Sequence, residues 1–238
     1  MKNRSPIALF SPLNVIAHFR QLPPSLLKDK HRSKAYRKAQ EASFVAEALA
    51  GRRAADGKDY WLRIIDDGVG TPDIKTYSWK ESGENPDGMW EHFVEVTEYE
   101  EHSDDSLVAF LARTKLNKYR DDPELVILCR VSTYVHIPSH AELKQALVDL
   151  KAVNPVLICG RLSQNDTPDA TYRLIQIDPD PHVVAQHIDF VLGTELLKMT
   201  ITGVLILDNA KSPGNFPDEK HYPFEELGFI PNADGSYS

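Results

Sequence analysis

The sequence predicts an α/β protein with a mixed central sheet flanked by helices, and three observations carry that expectation. Leu125 to Val131 (LVILCRV) and Pro155 to Leu162 (PVLICGRL) are near-continuous apolar runs, the pattern of strands buried on both faces. Between them, Ser139 opens a segment whose Leu143, Leu147 and Leu150 recur at helical spacing, so 125 to 162 reads as a βαβ crossover joining a parallel pair. Upstream, three short runs at 60–65, 74–79 and 93–99 are separated by Gly, Pro, Asn and Asp, as hairpin strands are.

The remaining elements follow in order. Ser11-Pro12 is an N-cap followed by proline at the first helical position, and the short helix it starts stops before Pro23-Pro24. This makes residues 1–32 an N-terminal arm lying on the domain. From Ser33 a long helix places Ala35, Ala39, Ala42, Val45, Ala46 and Leu49 on a small-residue stripe suited to close approach to a sheet, with Gly51 as its C-terminal stop. In Phe93 to Tyr99, alternation sets Phe93, Glu95, Thr97 and Tyr99 on one face and Val94, Val96 and Glu98 on the other. A helix from Ser106 to Tyr119 gathers Leu107, Phe110, Leu111, Thr114 and Lys118 on one side. Thr171 to Ile177 is a further strand, Val183 to Leu192 reads as helix and Met199 to Leu207 as a late strand. Residues 33–210 thus form one domain, and 211–238, rich in proline and glycine, an irregular tail.

Composition bounds the function. A chain of 238 residues with 42% hydrophobic and 26% charged residues has the makeup of a globular protein, with no apolar run long enough for a membrane span. Cys129 and Cys159 sit inside apolar runs, as core thiols of a reduced, cytoplasmic protein do. A net charge of -8 argues against a surface that grips nucleic acid all over. The charge is uneven, however. Residues 28 to 38 hold Lys28, Lys30, Arg32, Lys34, Arg37 and Lys38 against Asp29 alone, a stretch able to follow a phosphate backbone or to be a solvated helix face.

Chemistry concentrates around the early strands. Pro72-Asp73 precedes one strand, and Glu95 sits within the next. Hard cations such as Mg²⁺ take carboxylate oxygens and keep several waters, so two or three acids on facing strands make a site. The element order, with Pro72-Asp73 and then Glu95-Val96-Thr97, resembles the PD-(D/E)-x-K nuclease superfamily over about residues 33 to 131. The resemblance implies a restriction-endonuclease-like α-β-β-β-α-β core with C-terminal additions. It further implies a Mg²⁺ (or Mn²⁺) ion on Asp73 and Glu95, a helix glutamate (Glu41 or Glu47) as auxiliary ligand, and DNA as substrate. The motif lysine is replaced by Thr97, which carries no charge. Lys118 or Lys115 on the following helix takes the phosphate-facing role in this reading, with Lys118 nearer the predicted inward face, and Lys34, Arg37 and Lys38 contact the DNA backbone.

Two other readings compete. In one, Thr97 marks lost chemistry and the domain binds protein or nucleic acid without cleaving it. In the other, the chain is a homo-oligomeric interaction protein, a homodimer in its simplest form, joined through exposed sheet residues near Trp79 and Trp90. His136 and His140 have the separation of some zinc pairs, but Pro138 between them prevents a shared helical face and no cysteine lies nearby.

Overall fold

The structure is a computed structural model and describes residues 7–21, 34–64, 74–79, 89–100, 105–132, 137–162, 170–180, 182–198 and 204–207. Its strands are β1 (Ile7–Phe10), β2 (Tyr60–Ile64), β3 (Ile74–Trp79), β4 (Met89–Tyr99), β5 (Leu125–Val131), β6 (Val156–Arg161), β7 (Thr171–Ile177), β8 (Gln186–Val191) and β9 (Val204–Leu207). The helices are α1 (Pro12–Gln21), α2 (Lys34–Asp56), α3 (Leu107–Leu111, running on into a π-helical turn at Ala112–Leu116), α4 (His140–Asp149) and α5 (Leu192–Leu197).

All the described strands join one sheet in the order β8-β7-β6-β5-β4-β3-β2-β1-β9. β2, β3 and β4 form an antiparallel meander, with Leu62 opposite Thr76 and Ile74 opposite Val94. β4 then runs parallel to β5 and β5 parallel to β6, so the crossover expected at 125–162 is preceded by a second one through α3. β7 and β8 continue the sheet antiparallel.

Two apolar layers cover the sheet. On one face Ala39, Ala42, Val45, Ala46 and Leu49 of α2 pack with Val15 and Ile16 of α1 against Leu62, Ile74, Val94, Val96, Leu128 and Leu174. On the other, Leu107 and Leu111 of α3 and Leu143 and Leu147 of α4 cover Leu125, Ile127, Cys129 and Ile158. The alternation in β4 is as the sequence predicts: Val94 and Val96 join the first layer, Phe93 and Tyr99 pack on the second. Ser139 caps α4 in a reciprocal capping box with Glu142, satisfying backbone donors that the helix start leaves open.

Several elements differ from expectation. Residues 183–191 are not a helix: 186–191 form β8, and of the expected span only Leu192 is helical, as the first residue of α5. Ile188 and Phe190 turn toward the core at a two-residue period, and β7 offers an edge for β8 to pair with. Gly51 does not end α2 but lies inside it, where a Cβ would fall 2.7 Å from Phe190 Cε1 and 3.0 Å from Leu174 Cβ. It is a packing glycine, suited to the close approach of helix to sheet. The N-terminal segment also contributes more than an arm: β1 pairs with β2 and β9, and α1 packs on α2. The tail at 211–238 and the start of the late strand, 199–203, lie outside the described residues. Among the described residues no helix is long and apolar enough to cross a membrane.

The closeness of Gly51 to the sheet yields a test. Helix propensity alone favours Gly51→Ala by about 1 kcal/mol, but overpacking against a ring edge and a Cβ costs about 1–3 kcal/mol. The substitution is expected to lower the urea midpoint, and Phe190→Leu in the same chain to recover part of the loss.

Candidate functional site

Glu95 stands in the middle of the sheet, on β4 between antiparallel β3 and parallel β5, and is only 5% exposed. A carboxylate taken out of water there needs a counter-charge. Lys115 supplies it, its Nζ lying 2.6 Å from Glu95 Oε1. The lysine reaches the strand because the chain after α3 opens into a wide turn, with Asn117 N–H donating to Ala112 O across five residues (3.2 Å). Such π turns insert a residue into the helical repeat and often mark functional sites.

Tyr119 completes this side. Burial, then the neighbouring Glu95 charge and a hydrogen bond to that carboxylate, push its hydroxyl well above the ordinary tyrosine range, so it stays protonated. Lys118 does not reach Glu95. It is exposed, donates to the Tyr119 hydroxyl (2.7 Å) and lies 4.5 Å from the centre of that ring. Of the two lysines expected at the site, Lys115 is therefore the one in contact.

Glu41 approaches from α2. Its Oε2 is buried and accepts no hydrogen bond, while Lys38 Nζ stands 3.7 Å away, an ion pair too long to be a hydrogen bond. Burial raises the Glu41 pKa above its ordinary 4.5; Lys38 opposes the rise and the Glu95 charge adds to it. Glu41 and Glu95 thus feel one another as like charges. Beside Glu41 a cavity of about 230 Å³ lies between α2 and the end of β4, lined by Arg37, Gln40, Phe44, Thr97 and Glu98 among others.

Glu47 belongs elsewhere. It accepts hydrogen bonds from Arg130 Nε (2.8 Å) and the Tyr172 hydroxyl (3.1 Å), and Arg130 lies against the rings of Phe44 and Tyr172. Burial raises the Glu47 pKa, with Arg130 pulling the other way. The signal for this pair is visible in the sequence: an arginine inside an apolar strand run requires a buried partner. Lys75, fully buried on β3, similarly pairs with Glu91 (3.2 Å) and lies over the Phe93 ring. The buried thiols are also inert, that of Cys129 being pushed up by burial to about 12.

The basic run does not present one face. Arg37 is exposed, Lys38 is turned inward toward Glu41, and the Lys34 side chain and residues 28–33 lie outside the described residues. Asp73 also lies outside them; Ile74, which follows it in sequence, pairs with Val94. The side chains of Trp79 and Trp90 fall outside as well. Among the described residues no three His, Cys, Asp or Glu side chains gather as a metal set. Glu41 Oε2 lacks a hydrogen bond and the Glu95 charge is felt there, which would favour a cation beside Glu41, but the two acids approach from opposite faces of the sheet, Glu41 with α2 and Glu95 with Phe93 and Tyr99 on the α3 side.

The Glu47–Arg130 pair yields a stability test. Arg130→Ala leaves a buried carboxylate uncompensated and is expected to cost about 3–5 kcal/mol in urea denaturation. Adding Glu47→Gln removes the stranded charge and is expected to recover part of that loss. No protein-family model matches the chain, and no curated protein sequence matches it.

Proposed function

We propose that the protein is a Mg²⁺- or Mn²⁺-dependent DNA phosphodiesterase of the PD-(D/E)-x-K type, working in the cytoplasm with Lys115 in the role of the motif lysine. The observation that carries this reading is the 2.6 Å contact between Lys115 and Glu95, with a half-buried acid, Glu41, whose carboxyl feels the Glu95 charge. A lysine ammonium held on the central strand acid supplies the charge that Thr97 lacks. Further support comes from the chain order α2-β2-β3-β4-α3-β5, with an antiparallel meander followed by a parallel strand.

Glu95 and Glu41 would hold the ion, with Asp73 as the third acid on the strength of its sequence position. Bound there, the ion supplies an acidified water and neutralises charge on the phosphodiester. The chain's own residues do the rest. Lys115 faces the phosphate and balances the charge developing on it, Tyr119 stands near the Glu95 carboxylate as a neutral hydroxyl, and Arg37, lining the cavity, follows the DNA backbone.

A second reading has its own observation. Lys115 already neutralises Glu95, and the chain carries a net charge of -8, both of which suit a non-catalytic nuclease-like module that binds a partner. One experiment separates them. For the enzyme, Mg²⁺ or Mn²⁺ raises the melting temperature by linkage. Lys115→Ala keeps that rise and loses cleavage, by about a hundredfold or more, while Glu95→Gln loses both. A wild-type melting temperature indifferent to millimolar Mg²⁺ and Mn²⁺ would remove the enzyme reading.

The raised pKa of Glu41 sets a pH dependence. The folded state holds a proton that the unfolded chain releases, so the Glu41 contribution to stability is full below about 4.5 and is lost as pH climbs through the folded value. In metal-free buffer, Glu41→Gln is expected to remove that share of the decline, measured as melting temperature against pH. DNA binding is expected to weaken with salt along a log-log line whose slope shrinks by about 0.9 for each phosphate the protein no longer neutralises. Arg37→Ala is the first variant for that measurement and Lys34→Ala the second.

A further inference from the structure

Toward the β8 end of the sheet, away from the Glu95 centre on β4, two histidines distant in sequence are brought side by side. His140 is the first residue of α4, fixed by the Ser139 capping box, and His187 lies on β8, the terminal strand. Their ring centroids are 4.7 Å apart and the rings are tilted by 52°. A nitrogen ligand sits about 2.0–2.1 Å from zinc and its imidazole centre about 1.2 Å further, so two rings sharing a tetrahedral ion stand about 5 Å apart. The observed spacing matches that demand.

We propose that His140 and His187 form a site for a borderline transition-metal dication such as zinc, with water completing the coordination, and that the ion ties α4 to the terminal strand β8. The charged surroundings permit it. Arg173 is the neighbouring cation, and Asp189 neutralises it through paired contacts of 2.6 and 2.7 Å, leaving the imidazoles as the donors. Imidazole donors suit zinc, nickel and copper, whereas the carboxylates proposed for the Glu95 centre suit magnesium, so the two sites differ in ion as well as place. The His136–His140 spacing visible in sequence thus supplies one ligand, and the fold supplies the other from β8.

The test is calorimetric titration of the full chain with zinc chloride at about pH 7.5, in millimolar Mg²⁺ so that oxygen-donor sites are filled. The expected result is one equivalent of zinc bound, with the affinity falling at least about tenfold in His140→Ala and equally in His187→Ala. Acidification to about pH 5.5 is expected to weaken it as the rings protonate. Absence of binding at millimolar zinc, or affinity that survives either substitution, overturns the site. Because the readout is zinc binding and not cleavage, it stands or falls separately from the nuclease reading.

Discussion

A carboxylate removed from water must meet a positive charge or give up its own, and among the described residues Glu47, Glu95 and Glu41 face that choice to different degrees. Glu47 is met fully, by a guanidinium and a tyrosine hydroxyl drawn from β5 and β7. Glu95 is met by Lys115 from the turn that follows α3. Glu41 is met in part, by a lysine too distant for a hydrogen bond. Full pairing makes a structural tie, whereas partial pairing leaves Glu41 Oε2 without a hydrogen bond. The difference between these acids, all of them glutamate and all packed on one sheet, is what separates scaffold from candidate site.

Helix geometry explains why Glu41 and Glu47 part company. Six residues apart on α2, they differ by about 9 Å along the axis and about 120° around it, so one helix cannot bring both to the same strand acid. Helical spacing alone makes that divergence legible in the sequence. The framework is legible too: the apolar runs at β5 and β6 leave little choice but buried parallel strands, and the alternation in β4 assigns its two faces. β8 is not legible, because its apolar residues are too few to separate a two-residue period from a helical one without knowing that β7 has an edge to offer. Gly51 misleads for a related reason. A glycine after a helical stripe is ordinarily a stop, and only the proximity of Phe190 and Leu174 shows that it is there for space.

Which lysine serves the site depends on a local feature that sequence spacing hides. A regular helix from Ser106 places Lys118 nearer the core than Lys115. The π turn at Ala112–Leu116 instead brings Leu111 and Leu116, five residues apart, both into the buried layer, and Lys115 comes round to Glu95. Tyr119 escapes a sequence reading because an aromatic near a helix end reads as packing; its tie to Glu95 appears only in space. The arginine–glutamate tie in the core escapes it as well, although Arg130 within LVILCRV is the signal that could have found it.

If Glu41 and Glu95 share a cation, as proposed above, the Lys115–Glu95 ion pair must open to admit it. Anomalous diffraction from crystals soaked in Mn²⁺ tests it most directly. The expected result is a peak bound by carboxylate oxygens of both Glu95 and Glu41, with the Lys115 ammonium displaced from Glu95 Oε1. An undisturbed Lys115–Glu95 contact, with no manganese between the two glutamates, would contradict it.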